Sequence, residues 1–168
     1  MNLQVKIEPA KTNEDIISIK NLALETWNEH YQSIISKKQI DYMLNKFQST
    51  EAITEQINQG YEYYLINATQ NVGYIAIKKE SDKLFLSKLY LKKEYRGMGI
   101  GSKSINFVKN KAVEYKTKEI YLTVNKININ SISTYKKNRF KITNAVVNDI
   151  GNEFIMDDFI MTYSVQQN

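Results

Sequence analysis

Hydrophobic positions change period along the chain, and the changes divide it into elements. Gln4 to Glu8 alternates as a short strand does. Ile16, Ile19, Ala23 and Trp27 then recur at helical spacing behind Thr12 or Asn13, either of which can cap a helix. Between Lys38 and Gln59, Ile40, Met43, Leu44 and Phe47, then Ile53 and Ile57, make two further amphipathic segments parted near Ser49-Thr50, a helical excursion. The stretches Tyr61 to Ala68, Val72 to Lys78 and Leu84 to Leu91 are short, aromatic and β-branched, with polar turns between them, and predict an antiparallel meander. Leu84 and Leu86 hold even positions while Leu89 and Leu91 hold odd ones, a phase slip that one inserted bulge residue near Ser87-Lys88 would produce. Ile105, Val108, Ala112 and Val113 mark a helix, and Ile120, Leu122 and Val124 a strand, which implies a parallel pairing. Ser131 to Asn138 reads as a short helix, and Phe140 to Val147 and Phe154 to Val165 as strands turned by Asn148 to Asn152. The predicted order is β-α-α-β-β-β-α-β-α-β-β, an α/β fold with a mixed sheet.

Composition narrows the reading. The chain has 168 residues, 42% of them hydrophobic, one proline, and neither repeats nor a linker, so residues 1–168 are expected to form a single domain. No apolar run approaches the roughly 18 residues of a membrane span, and Met1-Asn2-Leu3-Gln4 lacks the start of a signal peptide, so a cytoplasmic protein with no membrane partner is expected. Without cysteine there is no disulfide, thiolate metal site or cysteine nucleophile, and no metal is expected. The net charge of +5 suits an anionic ligand, but the two arginines, Arg96 and Arg139, lie in no basic stripe, so nucleic acid is not expected as a partner.

Three of the six glycines stand at positions 97, 99 and 101, after a strand and at the mouth of a helix. Glycine lets the backbone turn tightly and approach a ligand, and the free N–H groups and positive end of a helix attract phosphate. The dinucleotide pattern G-x-G-x-x-G fails because the third glycine comes one residue early and position 102 is Ser. The nucleoside-triphosphate loop G-x-x-x-x-G-K-[ST] ends at Lys103-Ser104 but has Ser102 where its second glycine belongs. A third pattern, [QR]-x-x-G-x-[GA], is matched in full by Arg96, Gly99 and Gly101.

That loop, with the strand before it, resembles the coenzyme A loop of GNAT superfamily N-acetyltransferases, and Leu86 through Phe140 follows the GNAT core in order and spacing. A second block, Leu122-Thr123-Val124 with Asn128, Asn130, Ser131, Ile132, Tyr135, Lys137 and Phe140, is similar to the family's Asn-x-x-Ala-x-x-x-Tyr-x-Lys-x-Gly-Phe segment. Ser131 replaces its Ala, and Arg139 its Gly, leaving Asn138 as the expected left-handed cap. Glu25-Thr26-Trp27 through Phe47 and the segment after Tyr61 look similar to bacterial spermidine/spermine acetyltransferases of the PaiA type.

The resemblance implies a GNAT fold: a central, mostly antiparallel mixed sheet flanked by helices, with a β-bulge before the pyrophosphate loop. It implies acetyl-CoA as co-substrate, held at Leu89, Tyr90 and Leu91, at Arg96, Gly97, Met98, Gly99, Ile100, Gly101 and Ser102, and at Asn128, Ser131 and Lys137. Lys92, Lys93, Lys103 and Lys136 flank those loops and could meet the phosphates, though most read as solvent-facing charges. It makes Tyr135 the general acid toward the leaving thiolate, a role suited to a phenol that is protonated at neutral pH; the plainer reading is one core tyrosine among twelve. Several relatives have a carboxylate near the bulge, where this chain has Ser87, so the general base is unassigned. The acceptor is expected to be a small primary amine, with Trp27, His30 and Tyr31 on one helical face as its candidate binding residues. Glu25, Glu29 and Asp157-Asp158 could bind a cationic acceptor, or be ordinary solvated acids. Other acceptors (an aminoglycoside, an amino acid, a protein N-terminus), a non-catalytic CoA sensor and a magnesium-dependent nucleotide module on Lys103-Ser104 remain alternatives. A homodimer through the C-terminal strands is also expected.

Overall fold

The computed structural model describes residues 3–166, so the reading of Met1-Asn2 lies outside the described residues. Strand β1 (Lys6–Pro9) leads into helix α1 (Asn13–Tyr31), which Thr12 opens with a capping box: its hydroxyl accepts from the Asp15 N–H at 3.1 Å, and the Asp15 carboxylate accepts from the Thr12 N–H at 3.0 Å. The helical excursion proves to be two helices, α2 (Lys37–Gln48) and α3 (Thr50–Asn58), so three helices precede the meander where the predicted order had two. Ser49 separates them: its extended backbone (ψ 160°) cannot continue α2, and its hydroxyl caps α3 by accepting from the Ala52 N–H at 3.1 Å.

Strands β2 (Tyr61–Asn67), β3 (Asn71–Glu80) and β4 (Lys83–Leu91) form the antiparallel meander, followed by α4 (Ile100–Glu114), β5 (Glu119–Asn125), α5 (Ile129–Lys137), β6 (Lys141–Gly151) and β7 (Phe154–Ser164). The last hairpin turns later than its polar sequence suggests. Asn152 and Glu153, with φ of +53° and +64°, make the turn, and Asn148 to Gly151 extend β6, because an edge strand bathed in solvent can be as polar as a loop.

The seven strands lie in the order β1-β2-β3-β4-β5-β7-β6, antiparallel except where β4 meets β5. That parallel pair holds for three rungs, Lys83↔Glu119 to Phe85↔Tyr121. Between β3 and β4 the register passes from Ile77↔Leu86 to Ala76↔Lys88, so Ser87 is the bulge residue. The slip turns Leu84 and Leu86 to one face of the sheet together with Leu89 and Leu91, against Ile105, Val108 and Ala112 of α4 and Ile132 of α5. On the opposite face Tyr63, Tyr74 and Tyr90 pack under Ile19, Trp27, Ile40 and Ile53 of α1 to α3. Each of the large side chains buried here contributes about 1.5–3 kcal/mol. Among the described residues no helix is long and apolar enough to cross a membrane.

Candidate active site

Strand β4 supplies the first part of the site. Antiparallel pairing alternates which residues turn their main-chain groups toward a given neighbour. The Lys92 N–H donates to the Val72 carbonyl at 2.9 Å, so in the register through Tyr90↔Tyr74 and Lys88↔Ala76 the even residues address β3. Leu89 and Leu91 therefore turn their N–H and C=O groups toward the edge that β5 leaves beyond the Tyr121 rung. An extended, amide-bearing molecule can pair with that edge as an added strand would. Tyr90 departs from its expectation: its main chain faces β3, and its ring packs on Trp27, Tyr74 and Tyr31 at centroid separations of 5.3, 5.7 and 6.4 Å.

The glycine loop supplies the second part. Gly97 and Gly99 have φ of +75° and +81°, and a methyl group at either would touch nothing, so the dihedral and not lack of room calls for glycine. The first bond of α4 runs from the Lys103 N–H to the Gly99 carbonyl at 3.0 Å, which leaves the N–H groups of Ile100, Gly101 and Ser102 without helical partners. Three donors at the positive end of a 15-residue helix fit an anionic diphosphate. Arg96 contributes differently from its neighbours. Its N–H is taken by the Lys93 carbonyl at 3.2 Å, while its guanidinium donates to the Leu91 carbonyl at 3.1 and 2.9 Å and lies 2.6 Å from the Glu29 carboxylate. Gly97, Met98, Gly99, Ser102 and Lys103 are exposed, as are Lys93, Lys136 and Lys137; Lys92 is half-buried and pairs with Glu25 at 3.5 Å.

The third part is α5. Asn128 caps it, accepting from the Ser131 N–H at 3.3 Å, and its amide nitrogen lies 2.8 Å from His30 Nε2. Both ends of that side chain are therefore engaged. At the other end the expectation for Asn138 is corrected: Asn138 keeps a φ of −93° and Arg139 takes the left-handed turn at +71°. The Phe140 N–H reaches the Tyr135 carbonyl and the Arg139 N–H the Lys136 carbonyl, both at 3.0 Å, a Schellman closure that puts the left-handed residue one place later than supposed. The closure packs the Phe140 ring on Tyr135 at 5.6 Å. Burial, and to a lesser degree neighbouring Tyr31, hold the Tyr135 phenol well above the ordinary tyrosine range, so it carries its proton throughout the neutral range.

Trp27, His30 and Tyr31, the residues expected to bind the acceptor, share the face of α1 turned to the sheet. Trp27 donates to the Tyr74 hydroxyl at 2.8 Å, and Tyr31 and Tyr90 share a hydrogen bond at 2.9 Å. Burial first, and the charge of Arg96 second, depress the His30 pKa against a smaller opposing effect of Glu29, so the imidazole is neutral. Glu25 and Glu29, candidates for a cationic ligand, are paired with Lys92 and Arg96 of the chain itself. Asp157 pairs with Lys126 at 2.8 Å, whereas Asp158 is buried. Lys88, which the sequence did not single out, is also buried; its ammonium nitrogen lies 2.7 Å from Gln56 Oε1 and 2.6 Å from the Tyr63 hydroxyl, and burial lowers its pKa to about 7. Ser104 donates its hydroxyl to the Ile100 carbonyl at 2.8 Å inside α4, where it cannot serve a magnesium ion as the nucleotide-loop reading requires.

A bulged strand, a vacated sheet edge and a phosphate cradle at the start of the next helix define an acyl-CoA-dependent N-acetyltransferase, and acetyl-CoA is its co-substrate. The chain belongs to the acetyltransferase (GNAT) family, whose sequence pattern matches residues 18–140. It is 28% identical over 151 residues to a spermidine N(1)-acetyltransferase of Thermoplasma acidophilum, an alignment covering 86% of this chain and 91% of that one. Among solved structures it is similar to the PaiA N-acetyltransferase of Thermoplasma acidophilum in complex with coenzyme A, with a TM-score of 0.81, 26% identity, and 96% and 99% of the two chains covered. A GCN5-related N-acetyltransferase from Rhodopseudomonas palustris, at 14% identity and a TM-score of 0.80 over 98% of each chain, shares the fold.

Proposed function

We propose that this enzyme transfers the acetyl group of acetyl-CoA to a small primary amine, with a polyamine such as spermidine the favoured acceptor, by direct attack in a ternary complex. The observation that carries the reading is the placement of Tyr135, with its proton held by burial, against the same core cluster on which Leu89 and Leu91 pack. The named activity of the Thermoplasma relative supports the choice of acceptor. Residues 1–168 are taken as one domain that works in the cytoplasm.

In this reading the N–H groups of Ile100, Gly101 and Ser102 hold the pyrophosphate and the main chain of Leu89 and Leu91 holds the pantetheine arm. Arg96 must release the Leu91 carbonyl for that second contact, since it covers it now. The neutral amine nitrogen attacks the thioester carbonyl carbon, Tyr135 protonates the sulfur as the C–S bond breaks, and the proton lost by the nitrogen passes to water, from which the phenolate regains its own. A general acid of this kind contributes roughly 10²–10⁴-fold.

CoA release from acetyl-CoA, followed with a panel of amines that includes spermidine, tests both halves. Turnover of one amine with kcat lowered about 100-fold or more by Tyr135→Phe is the expected result. Full activity in Tyr135→Phe would remove the assigned acid, and acetyl-CoA binding with no turnover on any amine would favour a CoA sensor.

A further inference from the structure

A charged amine entering this site needs a carboxylate, and the acids nearest in sequence to the candidate acceptor face are already occupied. Glu25 and Glu29 are paired with Lys92 and Arg96, and Asp157 with Lys126. Asp158 differs from all three in having no lysine or arginine within ion-pair distance among the described residues, although Glu29 Oε2 also lacks a hydrogen bond. It is 6% exposed, and its Oδ1 is buried without a hydrogen-bond partner among the described residues. A buried carboxylate oxygen left unpaired is costly, and a bound ligand is one of the arrangements that satisfies it.

Its position indicates which ligand. Alternation along β7 puts Asp158 on the same face as Met156, whose side chain packs in the cluster that includes Trp27, Tyr31 and Tyr90. The carboxylate lies close enough to Tyr31 that its charge helps raise that phenol to about 12, behind the larger effect of burial. Asp158 is thus an acid near the Tyr31 ring on the face that carries the aromatic cluster, and an acid with an aromatic ring is a combination that recognises an organic ammonium. Burial, reinforced by Asp157 and opposed by Lys126, raises its own pKa to about 6, so it is ionised at pH 8.

We propose that Asp158 binds the ammonium group of the acceptor amine, beside Tyr31. The inference rests on reading the chain as an amine acetyltransferase. It assigns specificity to a strand distant in sequence from the cofactor loop and explains why a buried acid has no hydrogen-bond partner among the described residues.

The test measures binding of spermidine, and of n-butylamine as a single-charge probe, by calorimetry at pH 8 to the full chain loaded with coenzyme A. Asp158→Asn keeps the size of the side chain and removes its charge, and Asp157→Asn serves as the neighbouring control. The expected result is a Kd for both amines raised at least about tenfold in Asp158→Asn, with coenzyme A affinity and the Asp157→Asn protein within about twofold of the parent. Asp158→Glu, which restores the charge, should recover part of the loss, and this separates binding from a general weakening of the fold. Equal amine affinity in parent and Asp158→Asn, or no binding of either amine by the parent, overturns the assignment. The two readings fail separately: amine binding without acetyl transfer would sink the proposed function and keep this site, whereas turnover with an unchanged KM in Asp158→Asn would do the reverse.

Discussion

At the scale of single residues, two side chains sit where their chemistry is disfavoured, and each yields an expected outcome. Arg139 holds φ at +71° to close α5, a conformation that costs a non-glycine residue about 1–2 kcal/mol. Arg139→Gly is expected to stabilise the protein by about 1 kcal/mol, a rise in Tm of about 2–4 °C for a chain of this size, measurable by calorimetry. Lys88 is the second case. Its pKa is lowered to about 7 from 10.5 by burial, so the folded state sheds the proton that the unfolded state keeps between those values. Stability from this group is fully present above pH 10.5 and is lost as pH falls through about 7. Lys88→Met, which leaves Tyr63 hydrogen-bonded to Gln56, should flatten that dependence. Its advantage over the parent, on the order of a few kcal/mol, should be largest at and below pH 7, as read by urea denaturation at pH 7 and pH 9. Gly97 and Gly99 could be read from sequence as turn glycines, but Gly73 could not: a Cβ there would collide with the Tyr90 carbonyl, a contact made across the sheet. Lys88 was equally illegible, because a lone lysine in a strand looks solvated until its neighbours are known.

At the scale of elements, Ser87 does the most to shape the site. One extra residue in β4 lets Leu84 and Leu86 and then Leu89 and Leu91 share a face although their numbers change parity. Deleting Ser87 should remove the bulge and leave all four leucines on one face by simple alternation, so that the deletion tests the bulge and not the core. The expected outcome is a folded protein whose acetyl-CoA binding is weakened, as read by calorimetry, whereas Ser87→Ala should retain binding. This bulge was visible beforehand as the phase slip from even to odd leucines. The left-handed residue of α5 was misplaced by one because sequence ranks residue types by propensity, in which Asn precedes Arg, whereas the hydrogen bonds that seat Phe140 against Tyr135 fix which position must turn. The late turn of the β6–β7 hairpin was missed for a related reason: β6 has a neighbour on one side alone, so its polarity imitates a loop.

At the scale of the whole molecule, the edge strand β6 is the surface on which the homodimer expected from sequence would form. It is long, and Ile142 on it, Val147 further along and Ile155 on β7 are exposed large hydrophobic side chains. Pairing of such an edge with a second copy would satisfy its free main-chain groups. Light scattering is expected to show a species of twice the 19.6 kDa chain, converted to monomer by Val147→Lys; a 19.6 kDa species alone would remove the dimer. The sequence by itself determined the strand succession, the bulge, the glycine loop and the tyrosine helix, because periodicity and backbone dihedral demands act over a few residues. Tertiary structure alone decided which charges are available to a ligand. Glu25, Glu29 and Asp157 find lysine or arginine partners, while Asp158, adjacent to one of them in sequence, is buried with no ion-pair partner among the described residues. The physical reason is that pairing and desolvation depend on what the other strands and helices bring within a few ångströms, and residues that meet there are separated by most of the chain.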